Sequence, residues 1–183
     1  MGAANKLLLS LDGKAIVAHV ADAALTAGLA PVVVVTGHQA DEVRAALAGR
    51  KVDIIHNPDY EEGIAASIRA GIGAISGLAD AAVICLGDMP RLKPETLRRL
   101  AGAHDPVEGR SICAPVTDGK RGNPVLWAKR FFPEMASLAG DTGARHLIGQ
   151  YAELVAEVPM PDDGVLLDID TPEALMRYRQ RPA

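Results

Sequence analysis

The sequence predicts an α/β domain, a mostly parallel β-sheet with helices on both faces. Three observations carry that expectation. Helical spacing of apolar residues alternates with short β-branched runs up to residue 101. Those runs are continuous rather than alternating, as in strands buried on both faces. One of them, residues 81–86, ends abruptly in Gly87-Asp88-Met89-Pro90, delivering an acid to the strand end where open sheets bind ligands. At 183 residues the chain suits one well-buried domain and is short for two, so residues 1–183 are read as a single domain.

Taken in order, an apolar triplet at residues 7–9 precedes a turn at Asp12-Gly13. Residues 14–27 carry Ile16, Val17, Val20, Ala24 and Leu25 at helical spacing, stopped by Gly28. Residues 30–36 then form a β-branched run closed by Gly37. The unit repeats with a short amphipathic helix at 41–48, a strand at 52–56 and a helix at 64–75 whose preceding Gly63 leaves its amino end open. Another strand follows at 81–86, and then a helix at 94–101 with the proline-led start Lys93-Pro94-Glu95. Beyond Gly102 the texture changes. Two β-like runs, 111–116 and 123–127, flank a polar turn and suggest a small antiparallel excursion beside the parallel sheet. Helices are expected at 131–138 and 142–151, a strand at 153–158, and a last strand at 165–170 before a helix opened by Thr171-Pro172-Glu173.

Composition narrows the function. Apolar residues make up 49% and charged residues 23%, with net charge −4 and the two signs interspersed, which leaves no basic footprint for nucleic acid or an anionic membrane. No apolar run approaches the ~20 residues that span a bilayer, and the amino terminus has no signal-peptide pattern. Cys85 and Cys113 read as small buried hydrophobes in a reducing compartment. A cytoplasmic location is expected.

Besides Asp88, the acids with positional meaning are Asp168 and Asp170 at the end of the last expected strand. Magnesium is typically held by one or two carboxylates plus substrate phosphate oxygens. Asp168 is therefore kept as a partner of Asp88, while Asp170 suits a cap on the final helix. Lys6 would act on a phosphate as a point charge, although a lone lysine near a terminus is ordinarily a solvated surface group. Residues 57–69 join a strand to a helix at the ligand edge, and Gly63 permits close backbone approach there. Residues 140–145 suit either an anion-binding helix start or a capped turn. The five histidines share no short spacing suited to zinc, and neither a Gly-x-Ser-x-Gly elbow nor a Walker-type loop is present.

In combination, Met1-Gly2 with Asn5-Lys6-Leu7-Leu8, Asn57-Pro58-Asp59-Tyr60, Gly87-Asp88-Met89-Pro90, Arg121-Gly122-Asn123-Pro124-Val125, Gly140-Asp141-Thr142-Gly143-Ala144-Arg145 and Asp168-Ile169-Asp170-Thr171-Pro172-Glu173 resemble one family. It is the molybdenum cofactor cytidylyltransferase branch of the MobA-like nucleotidyltransferases. The resemblance implies a Rossmann-like fold of the nucleotide-diphospho-sugar transferase type. The implied reaction transfers CMP from CTP to molybdopterin, forming the cytosine dinucleotide and pyrophosphate, with Mg2+ as cofactor and a molybdenum hydroxylase apoenzyme as a further partner.

By that likeness Asp88 and Asp168 bind magnesium, Lys6 contacts the triphosphate, and Lys6 and Asp88 carry the catalytic work. Gly63 and Ser67 face the base, and Arg121, Asn123, Asp141 and Arg145 face the acceptor. The guanylyltransferase branch resembles the chain less well, since it usually has Asp-Lys where this chain has Asn5-Lys6 and lacks a glycine before the metal-binding Asp. A non-catalytic cofactor-binding chaperone is the alternative of a different class. In the family a first strand and a loop of the form Leu-Ala-Ala-Gly-x-Ser-x-Arg precede the Met-Gly that stands here at positions 1 and 2. On this resemblance the domain is expected to be truncated at its amino end, without its central first strand and part of its phosphate cradle.

Overall fold

The computed structural model describes residues 5–141 and 143–169. A 3-10 turn, Lys6–Leu8, leads into a hairpin of β1 (Ser10–Leu11) and β2 (Lys14–Ala15), then α1 (Ile16–Ala27), β3 (Val33–Thr36), α2 (Ala40–Ala46) and β4 (Asp53–His56). Next come α3 (Ile64–Ile75), β5 (Ala81–Ile84), α4 (Pro94–Ala103), β6 (Ile112–Thr117), β7 (Lys120–Arg121) and β8 (Val125–Ala128). The described chain closes with α5 (Phe132–Ala136), α6 (Arg145–Gln150), β9 (Val155–Pro159) and a 3-10 turn, Gly164–Leu166. The expected alternation of helix and strand is present, and no helix among the described residues is long and apolar enough to cross a membrane.

The strands form a mixed arrangement around two layers of helix. β3 and β4 pair in parallel, while β5, β8, β6 and β7 form one larger sheet in that order, with β9 pairing β6 in parallel. β8 runs antiparallel to both of its neighbours, so β5, β6 and β9 share one direction. The antiparallel segment foreseen beside the sheet is therefore inside it. Its four residues are all buried, which suits a central position.

Strand pleating decides which helix each side chain meets. Ala82 and Ile84 of β5 pack with Ala65, Ile68 and Ile72 of α3, in a cluster that includes Ile112, Trp127 and Phe131. Val83 and the following Cys85 face the other way, against Val20, Ala23 and Ala24 of α1 and Leu97 of α4. β3 divides likewise, with Val34 packed against Val17 and Ala21 of α1 and Val35 against α3 at Gly71. Thus α1 and α3 cover opposite faces of both β3 and β5. Among the described residues no strand ladder joins β3 to β5; the two helices tie the parallel pair to the larger sheet.

Two expectations need correction or placement. The last strand foreseen at 165–170 is not formed over its described part. Gly164 N–H donates to Asp162 Oδ1 at 3.0 Å and Leu166 N–H to the Asp163 carbonyl at 2.9 Å, winding the apolar run into a 3-10 turn. Asp170 and the helix foreseen after Thr171-Pro172-Glu173 lie outside the described residues.

An ion cluster ties α1 to the loop after α2. Arg50 donates to both oxygens of Asp22, Nε to Oδ1 at 2.7 Å and Nη2 to Oδ2 at 3.2 Å, and Lys14 Nζ adds a bond at 2.8 Å. The Arg50 hydrogen bonds, opposed by burial and reinforced by Lys14, hold the Asp22 carboxyl down from 3.8 to about 2. A depressed carboxylate stabilises the fold above its unfolded value and loses that contribution as pH falls through the folded value. Urea melts of Arg50→Met should therefore show a deficit of about 1 kcal/mol at neutral pH, since the pair is partly solvated. As pH falls from about 4 through about 2 the deficit should shrink, vanishing only below the folded value. A deficit independent of pH would assign it to packing instead.

Candidate active site

Asp88 stands four residues beyond the end of β5, on the edge where the parallel strands finish. Buried Met89 and Leu92 anchor the turn that follows, so the carboxylate sits on a fixed support. Its side chain is 14% exposed, and Oδ2 accepts a hydrogen bond from Lys6 Nζ at 2.6 Å. The other oxygen, Oδ1, is buried with no hydrogen-bond partner among the described residues. A buried carboxylate oxygen left unpaired is costly, and sites that keep one commonly do so for a ligand.

Lys6 is aimed by local structure. Asn5 Oδ1 accepts from Leu7 N–H at 3.1 Å and caps the 3-10 turn, while Asn5 Nδ2 reaches the His38 carbonyl at 3.5 Å. Leu7 packs on Gly87, where a Cβ would come within 3.3 Å of Leu7 Cδ2. The glycine before the acid thus lets the turn seat beside Asp88. Asp168 enters from the opposite end of the chain. Ile169 N–H donates to the Asp88 carbonyl at 3.0 Å, and buried Ile169 packs with Leu11 and Ile16, leaving Asp168 exposed one residue earlier. Asp168 therefore lies in a segment bonded to the backbone of Asp88.

The amino end of α3 is not open as expected. Gly63 N–H donates to the Tyr60 carbonyl, Ile64 N–H to Asp141 Oδ1 at 3.2 Å, Ala65 N–H to the Gly140 carbonyl at 3.2 Å, and Ala66 N–H to the Gly63 carbonyl. Every first-turn amide is taken, two of them by a loop 75 or more residues downstream. Gly63 makes this approach possible, with φ +104° and the position of an absent Cβ only 2.8 Å from the Gly140 oxygen. Arg69 extends the strap, donating to the Leu138 carbonyl and to Glu62, each at 2.8 Å.

Ser67 Oγ accepts from Asn57 Nδ2 at 3.3 Å. Asn57 itself is 4% exposed, and its Oδ1 caps Asp59 N–H at 3.1 Å. Asn57 is thus a positioning residue absent from the expected set. In the sequence the Asn-Pro pair at 57–58 marks a turn equally well, and Asn57 stands out only within the family-like block Asn57-Pro58-Asp59-Tyr60.

Among the residues assigned to the acceptor, Asp141 caps α3, and Arg145 is exposed at the first position of α6. Arg121, exposed on β7, pairs through Nε with Glu157 Oε1 of β9 at 2.7 Å. Asn123 N–H donates to the Val165 carbonyl at 2.9 Å, which fastens this turn to the segment carrying Asp168. Two groups result: Lys6, Asp88 and the Asp168 segment with the Arg121–Asn123 turn behind it, and Gly63 with Asp141 beside Ser67.

A divalent ion fits the first group. A metal at Asp88 would take one or two carboxylates from the protein and its remaining ligands from water and phosphate, and among the described residues no three His, Cys, Asp or Glu side chains converge to complete a shell. The orphaned Oδ1 is the structural sign that Asp88 has coordinating capacity to spare.

Residues 1–155 match the family described as the MobA-like NTP transferase domain. The chain is 30% identical to nicotine blue oxidoreductase of Paenarthrobacter nicotinovorans over 182 residues, covering 97% of this chain and 89% of that one. It is 27% identical to the molybdenum cofactor cytidylyltransferase of Escherichia coli K12 over 153 residues, 82% of this chain and 74% of that protein. Among solved structures, Rv0371c of Mycobacterium tuberculosis H37Rv superposes with a TM-score of 0.85 at 28% identity, covering 98% of this chain and 90% of that one. Its manganese complex superposes with a TM-score of 0.79 at 26% identity, covering 98% and 94%. With an acid and a lysine joined at the strand edge of such a fold, the chain belongs to the MobA-like NTP transferase family of nucleotidyltransferases.

Proposed function

We propose that this protein is a divalent-metal-dependent CTP:molybdopterin cytidylyltransferase acting in the cytoplasm. The observation that carries the reading is the Lys6–Asp88 pair with its buried, unpartnered carboxylate oxygen at the carboxyl end of β5. Similarity to the Escherichia coli cytidylyltransferase supports the base and acceptor, and the manganese complex of Rv0371c supports the metal.

In this reading a phosphate oxygen of molybdopterin attacks the α-phosphorus of CTP, the α–β bond breaks, and pyrophosphate leaves with the electron pair. Asp88 and Asp168 would hold Mg2+, which supplies charge neutralisation on the phosphate oxygens. Lys6 places its ammonium against the triphosphate as a point charge. Ser67, oriented by Asn57, takes the base at the Gly63 end of α3. The Arg121–Asn123 turn and Arg145 face the acceptor, whereas Asp141, first assigned there, caps α3 at the base end. The protein's contribution is position and electrostatics, since little covalent work falls to it.

The test incubates the protein with molybdopterin, Mg2+ and either CTP or GTP, following pyrophosphate and the dinucleotide product. Release with CTP well above that with GTP is expected. Preference for GTP would move the protein to the guanylyltransferase branch, and tight molybdopterin binding without pyrophosphate would make it a chaperone for a molybdenum hydroxylase. Its similarity over nearly the whole chain to nicotine blue oxidoreductase favours one second reading, an oxidoreductase. Bleaching of nicotine blue by a reduced nicotinamide donor, with no pyrophosphate from CTP, would establish that reading instead.

A further inference from the structure

We propose that Asn57 is a specificity-determining residue: it sets Ser67 as a hydrogen-bond donor, and so selects a base with a ring-nitrogen acceptor over one with a ring N–H. This rests on the reading of Ser67 as the group that takes the base. A primary amide has one end that accepts and one that donates, and at position 57 a backbone group decides which end faces which way. Asp59 N–H can only donate, and it lies 3.1 Å from Asn57 Oδ1. The NH2 must then face Ser67, whose Oγ accepts from it at 3.3 Å.

The amide is held in that sense. Asn57 is 4% exposed, and its own N–H donates to the Thr36 carbonyl at 2.7 Å, continuing the β3–β4 ladder. Asp59 is fixed in turn, because its carbonyl accepts from Glu62 N–H at 3.0 Å at the head of the 3-10 turn Tyr60–Glu62. Turning the amide over would set its NH2 against the Asp59 N–H, two donors with no acceptor between them.

Ser67 is left with a proton to donate. Among the described residues its hydroxyl accepts from Asn57 and has no acceptor for its own hydrogen, and the Gly63 carbonyl one turn back already takes Ala66 N–H. The first-turn amides of α3 are likewise taken, so the half-buried Ser67 hydroxyl is the donor that α3 offers there. Cytosine has a bare nitrogen at N3, whereas uracil N3 and guanine N1 carry hydrogen. A donor facing a donor leaves both unpaired, which is how a site built around a hydrogen bond rejects the wrong partner. Base choice thus follows a chain of polarity that begins at Asp59 N–H and passes through the Asn57 amide and the Ser67 hydroxyl.

The test is equilibrium binding by isothermal titration calorimetry, with Mg2+ and no acceptor, of CTP, UTP and 3-deazacytidine triphosphate, in which C–H replaces N3. Wild type should bind CTP about tenfold more tightly than either of the others, the effect of one neutral hydrogen bond. Asn57→Asp offers oxygens to both Asp59 N–H and Ser67, so the serine proton turns inward and its lone pairs face the base. The preference for CTP over UTP should then vanish or reverse, a ratio that a general loss of affinity or of folded protein would not move. Ser67→Ala should bind CTP and its 3-deaza analogue alike.

Asn57→Asp that kept the wild-type preference would overturn the relay while leaving the cytidylyltransferase reading in place. So would Ser67→Ala that still distinguished CTP from the analogue. Wild type that bound the analogue as tightly as CTP would refute the inference without recourse to any variant, which covers the case of a variant that fails to fold. Absence of CTP binding by wild type would overturn the reading of the base site and this inference with it.

Discussion

Asp88→Asn should lower the proposed cytidylyl transfer by at least about a hundredfold while moving the melting temperature by only a few degrees. The two effects separate because of how the carboxylate is held. Its structural bonds are modest: one hydrogen bond to Lys6, whose side chain is a third exposed, while the backbone carbonyl that pairs with Ile169 N–H is untouched by the substitution. A single partly buried pair whose lysine stays in reach of water contributes about 1 kcal/mol. An Asn amide can still accept from Lys6, at the cost of placing an NH2 where Oδ1 is already without a partner. What Asn cannot supply is a full negative charge to a divalent ion, which is the property that transfer of a charged phosphoryl group uses. The measurement pairs initial rates of pyrophosphate release with thermal melts. A large drop in melting temperature with full activity per folded molecule would make Asp88 a structural residue.

How much of this was legible in the sequence depended on how local each cause was. The β-branched runs at β3 and β5 and the helical spacing of α1 and α3 reveal themselves because strand and helix periods are local properties. The position of β8 between β5 and β6 does not, since its order in the sheet is decided by pairings with two strands that both precede it in the chain. The run Val165-Leu166-Leu167 has strand composition, yet the Asp162 carboxylate and the Asp163 carbonyl draw the chain into a turn. The Val165 carbonyl then bonds Asn123 instead of a ladder partner.

The site divides on the same line. Asp88 was recognisable from the abrupt end of an apolar run. Its bond to Lys6, 82 residues away in the chain, and the capping of α3 by Asp141, 77 residues away, come from tertiary packing alone. The closed amino end of α3 is the clearest instance. A glycine that frees helix amides in sequence logic admits a second backbone that consumes them in the fold.

Gly122→Ala should cost about 3 kcal/mol, near the upper end of ordinary overpacking, and lower the melting temperature by roughly 6–12 °C. The reason is that the neighbour is backbone and has nowhere to go. An alanine Cβ at this position would lie 2.2 Å from the Val165 oxygen and 2.8 Å from its carbonyl carbon, well inside contact distance. Val165 is 2% exposed, and adjacent Gly164 is pressed on its other side, where a Cβ would be 2.9 Å from the Arg91 carbonyl oxygen. The 164–166 turn is thus held between Gly122 and Arg91, and moving it breaks the Asn123-to-Val165 hydrogen bond of 2.9 Å.

The displacement also reaches the site, because the same segment runs on to Asp168 and to the Ile169 N–H on the Asp88 carbonyl. Activity per folded molecule should fall too, although Gly122 touches no substrate in the proposed mechanism. Gly102→Ala is the matched comparison. That glycine is exposed on α4 with nothing within 4 Å of an added Cβ, so alanine there should be neutral or stabilising by about 0.5–1 kcal/mol. If Gly122→Ala melted within 2 °C of wild type, the turn would have room to yield, and the rigid link from Arg121–Asn123 through Val165 to Asp88 would have to be abandoned.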